Sequence, residues 1–198
     1  MPRLKRYLDA KLLEAGVDEV GRGCLAGPVV AAAVILPKRY SHPLLDDSKK
    51  LNLKTRIILR EDIMKKAISY AIGSADHKEI DEVNILQASF LAMHRALDKL
   101  ATRPEAILVD GNRFNTYTSI QHSCHVKGDS KFTAIAAASV LAKCYRDEWM
   151  DRLHEEFPVY AWDRNVGYPT KAHRKGILMY GPSPYHRMSF RLLPEEVL

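Results

Sequence analysis

The chain has 198 residues, of which 46% are hydrophobic and 27% are charged, and this predicts a single folded domain with a buried core. The composition excludes an intrinsically disordered chain, and three cysteines without CxxC spacing exclude a disulfide scaffold. Lys and Arg outnumber Asp and Glu by 30 to 24, a net charge of +6 that suits a polyanionic partner. No apolar run reaches the roughly 18 residues needed to cross a bilayer, so we expect a cytoplasmic protein with no membrane segment.

Along the chain, short apolar or β-branched runs predict strands, and apolar residues recurring every three or four positions predict helices. The predicted strands cover residues 14–20, 29–36, 69–75, 106–109 and 121–126, and the predicted helices begin after Asn52 and cover 80–100 and 132–157. A strand pair followed by alternating strands and helices predicts an α/β fold with a mixed sheet flanked by helices, its early strands antiparallel.

Beyond Pro158 the composition changes to Gly, Pro, Tyr and basic residues, with one short helix predicted after Pro169. No Asp or Glu occurs between Arg164 and Arg191. Basic side chains interleaved with aromatic ones suit contact with phosphates and packing on sugars or bases, and a solvated basic region is the alternative. The residues concerned are Arg164, Lys171, His173, Arg174, Lys175, His186, Arg187 and Arg191, with Tyr168, Tyr180, Tyr185 and Phe190 between them.

Four acidic residues lie where a carboxylate is costly to bury: Asp18 and Glu19 in an apolar strand, Asp110 at the end of another, and Asp129 in a loop before a helix. Because the carboxyl ends of central strands converge on one crevice, we expect the four to form a cluster. Oxygen ligands without His or Cys suit Mg²⁺ or Mn²⁺ rather than zinc. Hydrated strand ends, and a helix cap for Asp129, are the alternatives.

Neighbouring residues of a strand face opposite sides of a sheet, so Asp18 and Glu19 share one site only if the chain bends there. Gly21 and Gly23 are able to supply that bend.

Residues 18–30, DEVGRGCLAGPVV, resemble the DEAGRG(x)₃GPV opening of ribonuclease HII, with Val20 in place of Ala. The resemblance extends in the family's order over nearly the whole chain. The further matching segments are Asp47-Ser48-Lys49, Val109-Asp110-Gly111, Lys127-Gly128-Asp129, residues 136–143, Gly167-Tyr168-Pro169-Thr170 with His173, and residues 186–190.

This resemblance implies an RNase H-like fold over 1–198, in which residues from about 158 to 198 form a substrate-contacting segment. It implies that Asp18, Glu19, Asp110 and Asp129 are the catalytic and metal-binding residues. The implied reaction is cleavage of the RNA strand of RNA–DNA duplexes, including single ribonucleotides embedded in DNA, leaving a 3′-hydroxyl and a 5′-phosphate. Two Mg²⁺ or Mn²⁺ ions roughly 4 Å apart suit such a reaction, since one acidifies water and the other stabilises the leaving oxygen.

The resemblance also implies roles in substrate recognition. Gly21, Arg22 and Gly23 are implied to sense the 2′-hydroxyl, because glycines let backbone groups approach a sugar, although a tight turn is the alternative. Tyr168 is implied to pack on the deoxyribose that follows the ribonucleotide, and Lys49 to contact a phosphate, where a solvated lysine is the alternative. The resemblance implies a monomer and leaves docking to a replication clamp open.

Other interpretations are weaker. The glycines of 21–27 are spaced as in a dinucleotide-binding loop. Such a loop is followed by a helix, whereas here a β-branched run follows. Residues 122–125 contain two His and one Cys, yet adjacent strand residues diverge, so a half-exposed strand is preferred to a metal site. Cys24 and Cys144 are better explained by packing than as nucleophiles. The competing class is a non-catalytic nucleic-acid-binding module with a degenerate RNase H-like fold.

Overall fold

A computed structural model describes residues 4–45 and 51–194. The predicted strands and long helices are present, and the first and third strands have the predicted bounds. The strands are β1 (Glu14–Val20), β2 (Val29–Ile35), β3 (Ser69–Ala75), β4 (Ala106–Asp110) and β5 (Gln121–His125). The helices are α1 (Leu53–Lys66), α2 (His77–Asp98), α3 (Thr133–Glu156), α4 (Trp162–Asn165) and α5 (Lys171–Tyr180), of which only α4 was not predicted.

The strands form one mixed sheet in the order β3-β2-β1-β4-β5. The pairs β1–β2 and β2–β3 are antiparallel, whereas β1–β4 and β4–β5 are parallel, which confirms the predicted mixed α/β sheet. The chain leaves β1 toward β2 on one side, while β4 continues to β5 on the other. The crevice at the carboxyl ends of β1 and β4 is therefore a topological switch point, where α/β sheets bind their ligands.

Helices α2 and α3 cover opposite faces of the sheet at very close range. A Cβ added at Gly16 of β1 would lie 2.2 Å from the carbonyl carbon of Ala134 in α3, and one at Gly73 of β3 would lie 2.1 Å from the carbonyl oxygen of Ala92 in α2. The Ala-rich start of α3 permits this approach on the other side of the contact. Close packing brings α3 against the strand that carries the first two acids.

The C-terminal segment packs against the loop that follows β1. Leu25 and Ala26 of that loop share a buried apolar cluster with Met150 of α3, Trp162 of α4 and Ile177 of α5. Leu25 N–H also donates to the carbonyl of Gly167, and Gly27 N–H to that of Tyr185. The segment from α4 onward is thus built onto the edge of the crevice.

Over the described ranges, no helix combines the length and the apolar character that crossing a membrane requires.

Candidate active site

Asp18 and Asp110 lie side by side at the crevice. The parallel register pairs Val17 with Val109, so the next residue of each strand is an aspartate. Val17 and Val109 belong to the core packed beneath α2, and strand alternation therefore turns both aspartates toward α3. Asp18 is 4% exposed, and its carboxylate accepts a hydrogen bond from the Ser139 hydroxyl of α3.

Asp129 joins them from the turn before α3. It is 4% exposed in the 3₁₀ turn Gly128–Ser130. Gly128 N–H donates to Asp110 Oδ1 at 2.7 Å, which ties this turn to the end of β4. Helix α3 begins after Phe132 without a side-chain cap, so the helix-cap interpretation of Asp129 is wrong.

Glu19 reaches the site from the opposite face of β1. The strand ladder continues through the acid pair, since Glu19 still pairs with Ala31 and Val20 with Val30. The chain turns directly afterwards at Gly21, one of the two glycines expected to supply a bend, where φ is +96°. Glu19 Oε1 lies 3.3 Å from Arg22 Nη1, while Glu19 Oε2 is buried and has no hydrogen-bond partner among the described residues.

The four acids share one electrostatic environment. Burial raises the pKa of Asp18 well above its usual value, and the neighbouring Glu19, Asp110 and Asp129 raise it further, against the hydrogen bond from Ser139. Burial also raises the pKa of Glu19, while Arg22 opposes this increase. Without a compensating cation, ionising all four carboxylates at once is therefore unfavourable.

The carboxylate oxygens of the four acids suit a hard divalent cation, although their present arrangement does not surround one position. Carboxylate oxygens are the ligands that Mg²⁺ and Mn²⁺ prefer, and the buried Glu19 Oε2 lacks a hydrogen-bond partner within the described part of the chain. Within the described ranges, however, no three His, Cys, Asp or Glu side chains are already arranged to hold one ion. Glu19 Oε1 is paired with Arg22 and Asp110 Oδ1 with the Gly128 N–H, so the protein already engages one oxygen of each carboxylate.

Two fully buried arginines hold the loop after β1, and sequence reasoning missed both roles. Arg187 donates from Nη2 to Gly21 O at 2.7 Å, from Nη1 to Arg22 O at 3.0 Å and from Nε to Gly27 O at 3.0 Å. Its assignment to phosphate contact is therefore wrong, because the side chain is 0% exposed and engaged with the backbone.

Arg146 of α3 braces the other half of the loop. It donates to the carbonyls of Pro28 at 2.9 Å, Val166 at 2.6 Å and Ala26 at 3.2 Å. A Cβ at Gly21 would lie 2.2 Å from Arg146 Nε, so this glycine is required by close packing as well as by its positive φ. Because Lys143, Asp147 and Glu148 lie nearby in α3, the local sequence does not distinguish Arg146 from an exposed arginine.

Gly23 and Tyr168 form a shared surface beside Glu19. A Cβ on Gly23 would lie 3.8 Å from the Tyr168 ring, and Tyr168 is 38% exposed. The predicted substrate-binding residues 21–23 and Tyr168 are therefore brought together. Lys49, the remaining predicted contact, lies outside the described residues.

The two C-terminal histidines are buried, so their assignment to phosphate contact is wrong. Trp162 Nε1–H donates to His173 Nε2 at 2.9 Å, and His173 Nδ1–H donates to the carbonyl of Tyr168 at 2.9 Å. His186 Nδ1 accepts the Ser183 N–H at 2.8 Å, which leaves His186 Nε2–H to donate to His173 Nε2 at 3.0 Å. Both rings are therefore neutral, and they fix the backbone that carries Tyr168.

Part of the predicted basic surface remains exposed. Arg174 donates to the carbonyl of Leu192 and Phe190 packs inward, so neither lies free on the surface. A second group of exposed lysines flanks Asp129 on the β5 side, where Lys5 N–H donates to the carbonyl of Lys131. The exposed basic residues at the two flanks are Arg164, Lys171, Lys175 and Arg191, and Lys5, Lys127 and Lys131.

The structure also decides the interpretations of the glycine-rich loop, the strand with two His and one Cys, and the two buried cysteines. The residues after Gly27 form strand β2 rather than a helix, which excludes a dinucleotide-binding loop. Residues 122–125 lie in a half-exposed strand, as expected. Cys24 and Cys144 are buried, and burial raises the pKa of each thiol, which supports packing rather than nucleophilic roles.

Residues 15–193 match the family model described as Ribonuclease HII. The chain is 60% identical to a Ribonuclease HII of Bacteroides thetaiotaomicron over 97% of this chain and 96% of that protein, and 57% identical to one of Porphyromonas gingivalis over 95% and 94%. Its structure is similar to the ribonuclease H2 of Pyrococcus horikoshii (TM-score 0.73, 25% identity, 90% of this chain and 94% of that one). It is also similar to the RNase HII solved as a PCNA complex from Archaeoglobus fulgidus (TM-score 0.75, 26% identity, 93% and 98%).

Neutralising Asp18 should stabilise the protein. Its raised pKa means that the ionised form is unfavourable in the fold at neutral pH, so we expect Asp18→Asn to raise Tm by a few degrees in chelator. Calorimetric unfolding measures this, and the exposed Glu61→Gln on α1 is the control with the same charge change. An Asp18→Asn protein that melts below the wild type would contradict the proposed repulsion.

Protonation of the buried histidines should destabilise the fold in mild acid. Burial lowers the pKa of His186 to about 4, below its ordinary value of 6.5, so the unfolded chain binds the proton first. This contribution to stability is complete above pH 6.5 and is lost as the pH falls toward 4, by about 2 kcal/mol between pH 7 and pH 5. Urea unfolding at the two pH values should show a smaller pH dependence in His186→Gln, and equal dependence would refute the assignment.

Proposed function

The chain belongs to the ribonuclease HII family, and from this premise we propose that it nicks duplex DNA on the 5′ side of single embedded ribonucleotides. It is a ribonuclease H, an endonuclease that cleaves the RNA strand of RNA–DNA hybrids. The proposed products are a 3′-hydroxyl and a 5′-phosphate. The observation that carries the proposal is the group of four acids at the switch point of the sheet, in which Glu19, Asp110 and Asp129 all raise the pKa of the buried Asp18.

Asp18, Glu19, Asp110 and Asp129 are proposed to hold two Mg²⁺ or Mn²⁺ ions. Bound ions of this kind would supply an acidified water and charge compensation for the leaving oxygen. The protein's own contribution is to keep oxygen ligands together despite their repulsion. Ser139 orients Asp18, and the Gly128 N–H orients Asp110. Glu19 Oε1 pairs with Arg22, and Oε2, which has no partner among the described residues, is the oxygen proposed to contact an ion.

The surface formed by Gly23 and Tyr168 is proposed to read the junction between a ribonucleotide and the following DNA. Gly21 and Gly23 let the backbone of this loop approach a sugar. The aromatic face of Tyr168 would leave a 2′-hydroxyl without a hydrogen-bond partner, so a deoxyribose is favoured there. The proximity of the two residues supports this proposal, because adjacent nucleotides then contact adjacent protein groups.

The duplex is proposed to cross the site between the two basic flanks. The whole chain, 1–198, is proposed to be one domain in which residues from about 158 onward contact the substrate, and Lys49 is proposed as an additional phosphate contact. Exposed basic residues on both sides of the acids support this path, since phosphate neutralisation supplies most nonspecific affinity.

Partners and location are also proposals. We propose a monomer, which needs no second subunit to complete the acidic site. A replication clamp is a proposed partner, since the Archaeoglobus fulgidus relative was solved as a complex with PCNA. Three free cysteines suit the reducing cytoplasm, the proposed location.

Metal-dependent nicking tests the central proposal. With Mg²⁺ or Mn²⁺, the wild type should nick a labelled duplex containing one ribonucleotide at its 5′ side, and chelator should stop the reaction. Asp110→Asn should lower the rate by at least about a hundredfold, because it removes a ligand charge while keeping the shape of the side chain. Glu61→Gln on α1 is the control and should retain wild-type activity.

The same assay separates the enzyme from a non-catalytic binding module. A module would bind the duplex without nicking it in either metal. Equal nicking by Asp110→Asn and the wild type would instead show that the acids do not carry the reaction.

Removing the Tyr168 ring should weaken recognition of the junction. In Tyr168→Ala, the preference for one ribonucleotide over a continuous RNA strand should fall by about tenfold, since a stacking contact of roughly 1–3 kcal/mol is lost. The ratio of kcat/KM on the two substrates measures this preference. Tyr7→Ala is the matched control, because Tyr7 is 41% exposed and lies outside this surface. An unchanged ratio in Tyr168→Ala would remove this residue from substrate recognition.

A further inference from the structure

Arg187 is a buried cation whose partners are backbone carbonyls. It is 0% exposed and forms no ion pair within the described ranges. Its guanidinium instead spans the carbonyls of Gly21, Arg22 and Gly27. Burying an arginine without a carboxylate partner is unfavourable, so this arrangement indicates that the loop conformation depends on it.

The direction of these carbonyls fixes the direction of two N–H groups. In a trans peptide, the C=O of one residue and the N–H of the next point in opposite directions. Gly21 O and Arg22 O point inward to Arg187, so the N–H groups of Arg22 and Gly23 point outward. Both residues are exposed, and neither N–H has an acceptor among the described residues.

These two donors lie between the acids and the aromatic surface. The Arg22 side chain contacts Glu19 on one side, and Gly23 lies beside Tyr168 on the other. Consecutive outward N–H groups form a concave donor site for an electronegative oxygen. If the duplex follows the proposed path between the acids and Tyr168, the oxygen that meets these donors would belong to the sugar whose phosphate is attacked.

We propose that Arg187 is a positioning residue for ribose selection, because it turns the Arg22 and Gly23 N–H groups outward to donate to the 2′-oxygen of the ribonucleotide. The inference rests on the proposed function and adds the residue that sets the geometry of recognition. Arg187 itself does not touch the substrate.

Asp81 of α2 holds the backbone next to Arg187 in place. Its carboxylate accepts the Met188 N–H at 2.8 Å, the Ser189 N–H at 3.0 Å and the Ser189 hydroxyl at 2.5 Å. These bonds fix the residues directly after Arg187 without touching the loop itself. Asp81 therefore offers a milder way to loosen Arg187 than changing the buried arginine.

The experiment measures ribose preference without turnover. Affinities are measured in chelator for two duplexes that differ only in one ribonucleotide or its deoxy counterpart. Arg187→Lys should lower the ribose-to-deoxyribose affinity ratio by about tenfold, because an ammonium group cannot span three fixed carbonyls. Affinity for the all-DNA duplex should stay within about twofold, since the phosphate contacts are unchanged.

Controls separate this role from general destabilisation. Leu59→Ala, on the buried face of α1, lowers stability far from the loop and should keep the wild-type ratio. Asp81→Ala should lower the ratio in the same direction by a smaller factor. Added to Arg187→Lys, it should change the ratio little further, because both act through one interaction.

The inference is overturned if the wild type nicks and prefers ribose while Arg187→Lys keeps the wild-type ratio, or if Leu59→Ala loses the ratio equally. Should Arg187→Lys fail to fold, Asp81→Ala decides, and an unchanged ratio in that variant overturns the inference. A wild type that neither nicks nor prefers ribose overturns both the proposed function and this inference.

Discussion

The repulsion between carboxylates at the ends of β1 and β4 is the constraint on which the site depends. Parallel register places Asp18 beside Asp110, and burial raises the pKa of Asp18. The surrounding fold holds them there: Gly16 lets α3 approach so that Ser139 reaches Asp18, and the Gly128 N–H holds Asp110. Such a cluster is unfavourable for folding alone, and a divalent cation would turn the repulsion into coordination.

The loop after β1 is held by buried positive charges, whereas the acidic site beside it gathers negative ones. There, buried guanidinium groups of Arg146 and Arg187 hold backbone carbonyls, and the C-terminal segment supplies one of the two. Glu19 and Arg22 connect this loop with the acids through one ion pair. The segment therefore braces the loop after β1 and also flanks the proposed duplex path, and loosening it would change the geometry beside the acids.

Sequence patterns predicted those structural features that depend on neighbouring residues in the chain. Apolar runs and turn residues fixed the bounds of β1 and β3, and Asn52 caps α1 as expected. Charge in an apolar strand singled out the acids at 18 and 19. The wrong predictions concern side chains whose burial depends on tertiary packing. Composition alone placed Arg187 and His186 on the surface, but contacts with residues distant in the sequence bury both.

The most direct measurement is calorimetric titration of the protein with Mn²⁺ in two buffers of different ionisation enthalpy. If the buried acids gather around ions, binding is seen in both buffers, and the buffer dependence shows that protons are released, because carboxyl groups with a raised pKa must ionise to coordinate. Absence of Mn²⁺ binding, or binding without proton release that persists unchanged in Asp18→Asn, would contradict the account.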